Sequence, residues 1–315
     1  MFKKIMPKVS IIIPCYNQGQ YVDEAVDSVL AQTFQDFEII IVNDGSIDDF
    51  TNEKLINYNK PKTIVIHTTN QGLSAARNNG IKASSGVYIL PLDADDKIAT
   101  TYLEKAVKKL DSKKRIGIVY CKAEYFGEKT GEWVLPDYNF YEFLNGNQIF
   151  CSGFFRRVDY NKSKGYNSNM IYGWEDWDFW LSLIENDIEV YRVPEVLFYY
   201  RIRANSMLRT MVYEEQLYLH NMRFINHIKL YAKNCYNYNE IIRLGIQITF
   251  KYLFFCLYYN FPITKKNRNY LYSIFNVWIR QKIKRNYPEI SFNNSLRNSL
   301  KYILKNSWQC LKNHS

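Results

Sequence analysis

The sequence predicts an α/β fold built on a doubly wound, mostly parallel sheet, and two observations predict it. Short runs of β-branched apolar residues alternate with segments of helical periodicity over roughly the first 120 residues. Strands that alternate with helices of this length are typical of βαβ units, whose strands lie parallel. Polar residues directly follow several of these strands, at the edge where such sheets bind ligands.

Five segments are predicted to be strands because each is a short run of apolar, mostly β-branched residues. They are Val9–Ile13, Phe37–Val42, Thr63–Ile66, Val87–Leu90 and Ile116–Cys121. Their apolar runs are continuous, which favours strands buried on both faces, as in a parallel sheet. A loop is predicted over Pro14–Gln20, because its proline, asparagine and glycine are typical of turns.

Helices are predicted where apolar residues recur at a spacing of three or four. The predicted helices are Tyr21–Gln32, Gly72–Ser84, Thr101–Leu110 and Trp174–Ile184, with a turn and a helix start at Asn43–Asp49. In the first helix, Val22, Val26 and Val29 share one face. We expect that face to contact the sheet.

Composition excludes several classes of protein. The 315 residues are 47% hydrophobic and 17% aromatic, which argues against a disordered chain. No uninterrupted run of about 18 apolar residues occurs, so a membrane-spanning helix is not expected. The basic start, Met1–Lys8, precedes a short apolar run that ends at Pro14, so a secretory signal is not expected either.

The six cysteines and four histidines are scattered, and no CxxC pair occurs. This pattern is typical of reduced thiols in a cytoplasmic protein and argues against a disulfide framework or a zinc site. The sequence also lacks a G-x-G-x-x-G segment after the first strand and a G-x-x-x-x-G-K-[ST] segment. A dinucleotide-dependent oxidoreductase and a P-loop NTPase are therefore disfavoured.

Charge divides the chain into two regions. Residues 211–315 hold 16 basic and 4 acidic residues, a net charge of +12, whereas residues 1–210 have a net charge of −2. We therefore predict a catalytic domain over residues 1–210 and a helical, basic C-terminal region over residues 211–315.

The densest acidic cluster is Asp93-Ala94-Asp95-Asp96, directly after the fourth predicted strand. Three carboxylates within four residues repel one another, and a bound divalent cation would relieve that repulsion. Mg²⁺ prefers a few carboxylates together with phosphate oxygens and water. The alternative is a solvated turn in which an aspartate caps the next helix. The cluster alone does not decide between the two.

Two further polar residues fall near the ligand edge of the predicted sheet. Asp44 follows the second strand, where its carboxylate would accept from a nucleobase or a ribose, although an aspartate before glycine is also a common turn residue. Arg77 lies in the helix after the third strand and would face a phosphate or Asp95. An exposed helical arginine is the more frequent case.

A second acidic cluster, Glu175, Asp176 and Asp178, opens the helix Trp174–Ile184. A carboxylate beside large aromatic rings loses contact with water, which raises its pKa toward that of a general base. The positive end of the helix opposes this effect by favouring the anion. The tryptophans would also offer a platform for a sugar ring. The alternative is an ordinary helix start with its aromatic residues in the core.

Four segments together closely resemble the family-2 glycosyltransferases, which are inverting enzymes of the GT-A fold. The segments are VSIIIPCYNQGQYVDEAVDSVLAQT, FEIIIVNDGSIDD, NQGLSAARNNGIKASSGVYILPLDADD and GWEDWDFWLSLIENDIEVYRVPEVLFYYRIRANSM. They occur in the order and spacing of the family and cover about residues 7–210. The resemblance implies a GT-A fold and a nucleotide diphosphate sugar as the donor substrate.

The resemblance also implies roles for individual residues. On the donor side, Pro14 and Tyr16 would frame the nucleotide pocket, Asp44 would contact the base, Arg77 would hold the nucleotide, and Asp93 and Asp95 would form the DxD pair. Within that pair, Asp93 would face the ribose or the sugar and Asp95 would bind a divalent cation, Mg²⁺ or Mn²⁺. On the acceptor side, Asp176 would be the general base and Glu175 would position the acceptor.

The sequence departs from the family pattern at one position. A histidine that completes the metal site often follows the Tyr-Arg pair in this family, but here the segment is Tyr200-Arg201-Ile202-Arg203, and Arg203 takes that place. Arginine cannot ligate a cation at neutral pH. Either Arg203 contacts the donor diphosphate directly, which we favour, or Asp95, phosphates and water hold the cation weakly.

The basic C-terminal region contains an amphipathic segment, Met211–Tyr231, and an aromatic run, Ile248–Phe261. We expect either a helical surface that binds an anionic membrane near a lipid-linked acceptor, or a helical tail that packs on the catalytic domain. Nucleic-acid binding is disfavoured, because no recognised motif accompanies the basic residues.

These observations predict a cytoplasmic, non-processive glycosyltransferase, with peripheral membrane association as a further expectation. The predicted acceptor is a cell-envelope glycan or a lipid-linked glycan, as in O-antigen, capsule or exopolysaccharide synthesis. The absence of a Q-x-x-R-W segment favours addition of a single sugar. Two alternatives stay open: a non-catalytic nucleotide-sugar-binding or assembly subunit, favoured only by Arg203, and a sugar nucleotidyltransferase, disfavoured because Pro14–Gln20 contains no arginine.

Overall fold

The computed structural model describes residues 6–203, 210–227 and 230–231. Within these residues the strands are β1 Val9–Cys15, β2 Phe37–Asp44, β3 Thr63–Thr68, β4 Tyr88–Pro91, β5 Lys97–Ile98, β6 Ile116–Gly127, β7 Gly131–Trp133, β8 Phe154–Arg156 and β9 Glu189–Ile202. The helices are α1 Val22–Leu30, α2 Asp49–Ile56, α3 Leu73–Ala83, α4 Tyr102–Ser112, α5 Phe140–Phe143, α6 Arg157–Lys162, α7 Glu175–Ile184 and α8 Tyr213–Asn226.

The nine strands form one sheet that is mixed but mostly parallel, which confirms the predicted fold class. Its strand order is β3-β2-β1-β4-β8-β6-β9-β5, and β7 pairs with β6 outside this path. The first four strands in this order are parallel neighbours, and β6 is parallel to β9. The antiparallel pairs all involve a strand of two or three residues, namely β5, β7 or β8.

The parallel half of the sheet forms because its strands are apolar on both faces. Every residue of β1 is buried, and Ile12 lies opposite Ile40 of β2. The helix α3 packs closely on β1 and β2 at Gly80, where a side chain would collide with Ile12 and Val42. Parallel pairing brings the carboxyl ends of β1, β2 and β4 to the same edge of the sheet.

Some element boundaries differ from the predicted ones. β1 continues through Cys15, so Pro14 lies in the strand rather than in a loop. β2 continues through Asp44, because Asn43 and Asp44 still pair with β3. β6 extends to Gly127 because it pairs with β9 along this length. The strands β5, β7 and β8 escape prediction, since two or three residues show no periodicity. The long strand β9 is not among the predicted strands either.

The last described helix, α8, packs against α7. Asn226 donates a hydrogen bond to Asp178 over 2.7 Å, and the Arg223 guanidinium lies 3.2 Å from the centre of the Trp177 ring. The predicted amphipathic segment Met211–Tyr231 is thus helical over most of its length.

The remainder of the basic region, including the aromatic run Ile248–Phe261, lies outside the described residues, and the predicted domain boundary stays a prediction. Among the helices that the structure describes, none is both long enough and apolar enough to cross a membrane.

Candidate active site

Asp44 ends β2 and is buried at the ligand edge of the sheet. Its carboxylate accepts hydrogen bonds from the Gly72 N–H (2.9 Å), the Gln71 N–H (3.2 Å) and the Thr68 hydroxyl (3.0 Å). Asp44 therefore holds the turn that leads into α3. Its predicted contact with a nucleobase stays a prediction.

The end of β1 lies beside Asp44, because β1 and β2 are paired. Pro14 is buried opposite Val42, whereas Tyr16, just beyond the strand, is 41% exposed. Asn17 adopts a left-handed backbone conformation, with φ of 54°, and its side chain accepts a hydrogen bond from the Ile47 N–H over 2.8 Å. This link joins the loops after the two strands. The predicted nucleotide pocket of Pro14 and Tyr16 stays a prediction.

Arg77 joins the two acidic clusters. Its side chain is 1% exposed, and its Nη2 lies 2.6 Å from Asp93 Oδ1, while its Nη1 donates to Glu175. Burial by itself would lower the pKa of Arg77, but the charges of the two carboxylates outweigh burial and raise it. The alternative that Arg77 is an exposed helical arginine is therefore wrong. Its ion-pair partner in the first cluster is Asp93 rather than Asp95.

Asp95 forms an ion pair with Arg203. The Arg203 Nε lies 2.8 Å from Asp95 Oδ2, and the guanidinium lies 5.5 Å from the centre of the Tyr21 ring. Burial and the neighbouring charge of Asp93 raise the pKa of Asp95, while Arg203 opposes that rise. The arginine that departs from the family pattern is thus in direct contact with the aspartate predicted to bind a cation.

Asp96 is the most buried carboxylate of the first cluster, with 1% exposure. Its Oδ1 accepts a hydrogen bond from the Arg201 N–H over 2.8 Å, whereas its Oδ2 has no hydrogen-bond partner among the described residues. Burial and the charges of Asp95 and Asp93 raise its pKa well above the usual range. This environment does not fit the alternative of a solvated turn.

Cys151 lies beside the first cluster, in the segment that leads into β8. Its Sγ is 3.4 Å from Asp93 Oδ2. One ligand atom each from Asp93, Asp96 and Cys151 lie within 4.8 Å of one another. Burial and the charge of Asp93 raise the pKa of the Cys151 thiol. Sequence reasoning misses this residue because a cysteine without a CxxC partner carries no local signal.

Asp176 lies in the first turn of α7, after a sharp bend in which Gly173 and Trp174 have φ values of 125° and 53°. Its Oδ1 accepts from the Trp177 N–H over 2.6 Å, and its Oδ2 accepts from Asn147 Nδ2 over 3.3 Å. Burial and the charge of Glu175 raise the pKa of Asp176 to about 7, against the opposing charge of Arg77. A carboxylate with this pKa is suited to general-base chemistry near neutral pH.

The third acid of this cluster, Asp178, does not share the site. It is fully buried, accepts hydrogen bonds from Asn167 and Asn226, and lies 3.2 Å from His227 Nε2. Because these partners come from α8 and from the segment before α7, Asp178 holds the helix pair together. Sequence reasoning misses His227, since its contact with Asp178 exists only in the folded chain.

Trp177 also has a structural environment. Its side chain is 3% exposed, its indole N–H donates to the Phe143 carbonyl over 2.9 Å, and Arg223 covers its ring. The predicted sugar platform is therefore wrong for Trp177, and the core interpretation holds. A ring with so little exposed surface offers no free face to a substrate.

The first cluster has the chemistry of a cation site. Arg203 and Arg77 provide positive charge to Asp95 and Asp93, but the buried Oδ2 of Asp96 has no hydrogen-bond partner in the described part of the chain. A buried carboxylate oxygen without a partner is costly. Closely spaced carboxylate oxygens whose negative charge is only partly compensated suit a divalent cation.

Comparison with known sequences identifies the family. The sequence model described as Glycosyl transferase family 2 matches residues 10–169. An uncharacterized glycosyltransferase of Rickettsia prowazekii is 32% identical over 226 residues, which cover 67% of this chain and 69% of that protein. EpsJ, an uncharacterized glycosyltransferase of Bacillus subtilis, is 41% identical over 119 residues, which cover 37% of this chain and 34% of that protein. The match thus spans about a third of the length of EpsJ.

Solved structures share the fold. S. aureus TarS 1–349 in complex with UDP-GlcNAc aligns with a TM-score of 0.58 and 17% identity, covering 87% of this chain and 81% of that chain. The mannosyltransferase PcManGT from Pyrobaculum calidifontis, in complex with GDP-Man and Mn²⁺, aligns with a TM-score of 0.54 and 15% identity, covering 91% of this chain and 89% of that chain. The fold is of the GT-A type, and the chain belongs to glycosyl transferase family 2.

Proposed function

We propose that the chain is an inverting, non-processive glycosyltransferase that moves a sugar from a nucleotide diphosphate sugar to a hydroxyl group. The observation that carries this proposal is the pair of ion contacts that Arg77 makes with Asp93 and Glu175. Through them, one guanidinium brings the first acidic cluster and the first turn of α7 together. A pocket with cation-binding chemistry on one side and a carboxylate of raised pKa on the other has both parts that such a transfer needs.

The donor is proposed to bind along the carboxyl ends of β1, β2 and β4. Pro14, Tyr16 and Asp44 line this edge, and family membership together with the UDP-GlcNAc and GDP-Man complexes of the structural relatives supports a nucleotide sugar. A divalent cation held by Asp93 and Asp95 would stabilise the negative charge of the leaving diphosphate. Arg203 lies beside Asp95 and supplies a second positive charge toward that group.

Asp176 is proposed to act as the general base. It takes the proton of the acceptor hydroxyl while that oxygen attacks the anomeric carbon, and the bond from this carbon to the diphosphate oxygen breaks. The electron pair of that bond leaves with the nucleoside diphosphate, so a single displacement inverts the configuration. Asn147 and the Trp177 N–H hold the Asp176 carboxylate, and Arg77 holds Glu175 beside it for contact with the acceptor.

The acceptor is proposed to be a cell-envelope glycan, either free or lipid-linked. The support is the resemblance to the family and the strongly basic region after residue 210, whose net charge of +12 suits an anionic membrane surface. Binding to vesicles with anionic lipid at low salt tests the membrane part. Replacing Lys265, Lys266 and Arg268 by glutamine should weaken that binding, and equal binding by both chains would contradict it.

A product analysis tests the transfer itself. A panel of nucleotide sugars is screened for thermal stabilisation with and without Mn²⁺, and stabilising donors are then incubated with glycan acceptors. Nuclear magnetic resonance of the product should show an anomeric configuration opposite to that of the donor. Retention of configuration would contradict the single displacement. Stabilisation by a donor without any turnover would instead indicate the non-catalytic binding subunit.

A further inference from the structure

We propose that the acidic pocket binds a thiophilic divalent cation, such as Zn²⁺ or Cd²⁺, through the sulfur of Cys151 together with Asp93 and Asp96. The three ligand atoms lie within 4.8 Å of one another before any cation is added. The cysteine thus lies inside the predicted metal site, although it is far from the DxD pair in the sequence.

The distribution of charge favours this side of the cluster over Asp95. The Arg203 guanidinium is already 2.8 Å from Asp95, so that carboxylate has a positive partner within the chain. Asp93 also pairs with an arginine, but through Oδ1, and its Oδ2 lies beside the Cys151 sulfur. Asp96 is 1% exposed, and its Oδ2 has no hydrogen-bond partner within the described residues. Asp96, the carboxylate with this unpartnered oxygen, belongs to the same group of ligand atoms as Cys151, and a cation bound there would compensate its charge.

Sulfur changes the metal preference of such a site. Carboxylates alone suit Mg²⁺ and Mn²⁺, whereas a thiolate ligand selects softer or borderline ions such as Zn²⁺ and Cd²⁺. Binding replaces the thiol proton by the metal ion, and that proton passes to solvent. The Sγ–Asp93 distance of 3.4 Å shows that the thiol already faces the carboxylate with which it would share the ion.

This inference deepens the proposed function, because it names a class of cation for the same pocket, yet it is tested by binding alone. The full chain, kept reduced, is titrated with Cd²⁺ without any donor or acceptor. The ultraviolet charge-transfer absorption of a Cd²⁺–thiolate bond should grow and saturate at one equivalent. Failure of sugar transfer would leave this result unaffected, and failure of this result would leave Mg²⁺-dependent transfer unaffected.

Matched variants test whether the sulfur of Cys151 is the ligand that binds Cd²⁺. Cys151→Ser, which is nearly isosteric, should abolish the one-equivalent absorption, and Asp96→Asn should weaken Cd²⁺ binding at least about tenfold, since even outer-shell partners of metal ligands contribute roughly 10–100-fold. Cys121→Ser removes another buried free thiol and should leave the titration unchanged. Asp95→Asn should also retain the absorption, because Asp95 is not one of the three groups whose ligand atoms lie together around the Cys151 sulfur.

Two outcomes would overturn the proposal. The first is a Cys151→Ser chain that folds, as judged by its circular dichroism and melting temperature, and still shows the full absorption. The second is a wild-type chain that binds Cd²⁺ without any thiolate absorption, which would show that oxygen ligands alone hold the ion. If Cys151→Ser does not fold, Cys151→Ala in the same titration decides the question.

Discussion

The two acidic clusters contain similar residues but have different surroundings. In the first cluster, Asp93 and Asp95 each contact an arginine, and Asp96 is buried beside them. In the second cluster, Asp176 receives hydrogen bonds from Asn147 and a backbone N–H, and no arginine of the described residues forms an ion pair with it. The first cluster is therefore suited to holding positive charge, and the second is suited to taking a proton.

The second cluster is itself divided. Glu175 pairs with Arg77, and Asp176 accepts a hydrogen bond from Asn147. Asp178, two residues beyond Asp176 on α7, instead contacts His227 and Asn226. Helical geometry separates Asp178 from Asp176, because positions two residues apart lie about 160° apart around the helix axis. The density of acidic residues in a sequence therefore indicates neither their partners nor their role.

The largest effect is expected at Arg77, on which both clusters depend. Arg77→Met leaves Asp93 and the buried Glu175 without their shared cation, and breaking a buried ion pair in this way costs about 3–5 kcal/mol. Urea denaturation should show this loss in the free energy of unfolding. Arg203→Met is the matched control, since its pair with Asp95 is more exposed than the pair of Arg77 with Glu175 and should contribute less. Equal losses in both variants would contradict the assigned bridge.

An intermediate effect is expected at His227, and it depends on pH. Burial would lower the pKa of His227, but hydrogen bonds and the charges of Asp178 and Glu185 raise it to about 9 from its ordinary 6.5. Because the folded state binds this proton more tightly than the unfolded state, the stabilisation is fully present below pH 6.5 and is lost as the pH rises through 9.

The variant His227→Gln isolates this contribution. The wild-type free energy of unfolding should exceed that of the variant by an amount that shrinks, on the order of a few kcal/mol, between pH 6.5 and 9. Asp178→Asn should flatten the same difference, since it removes the carboxylate that stabilises the imidazolium. A difference between the chains that stays constant with pH would show that His227 is neutral.

The smallest effect is a change in rate with pH that depends on Asp176. A base whose pKa is about 7 is mostly protonated below that pH, so kcat/KM for transfer should fall about tenfold for each pH unit below 7. Glu175, Arg77 and Asp93 are the charged groups that act on this carboxyl. Asn147→Ala removes a donor that favours the anion and should move the break upward in pH. A value of kcat/KM that does not change between about pH 5 and 8 would argue against Asp176 as the base.

The parallel half of the sheet could be predicted from the sequence, but in the other half only the first part of β6, Ile116–Cys121, could. The runs Val9–Ile13 and Phe37–Val42 are long and apolar, so both their type and their parallel pairing follow from pattern alone. β8 has three residues, and nothing local indicates that it lies antiparallel between β4 and β6. Its position depends on the edges that β4 and β6 offer for pairing once they are in place.

At the site, residue type was predictable and partnership was not. Asp93, Asp95 and Asp176 stand out because acids follow a strand or open a helix. The contact of Arg77 with Glu175 joins residues 98 positions apart, and that of Arg201 with Asp96 joins residues 105 positions apart. Local patterns in a single sequence do not record such pairs, which arise when the carboxyl ends of distant strands meet.

The most direct test of the two-cluster site separates donor binding from chemistry at residue 176. In the Asp176→Asn chain, stabilisation by the nucleotide diphosphate sugar should equal that of the wild type, because the first cluster is intact. The rate constant kcat for transfer should fall roughly 10²–10⁴-fold, the usual contribution of a general base. A variant that transfers sugar at the wild-type rate would contradict the assignment of Asp176 as the base. A variant that loses donor binding to the same extent as kcat would contradict the assignment of donor binding to the first cluster and of proton removal to the second.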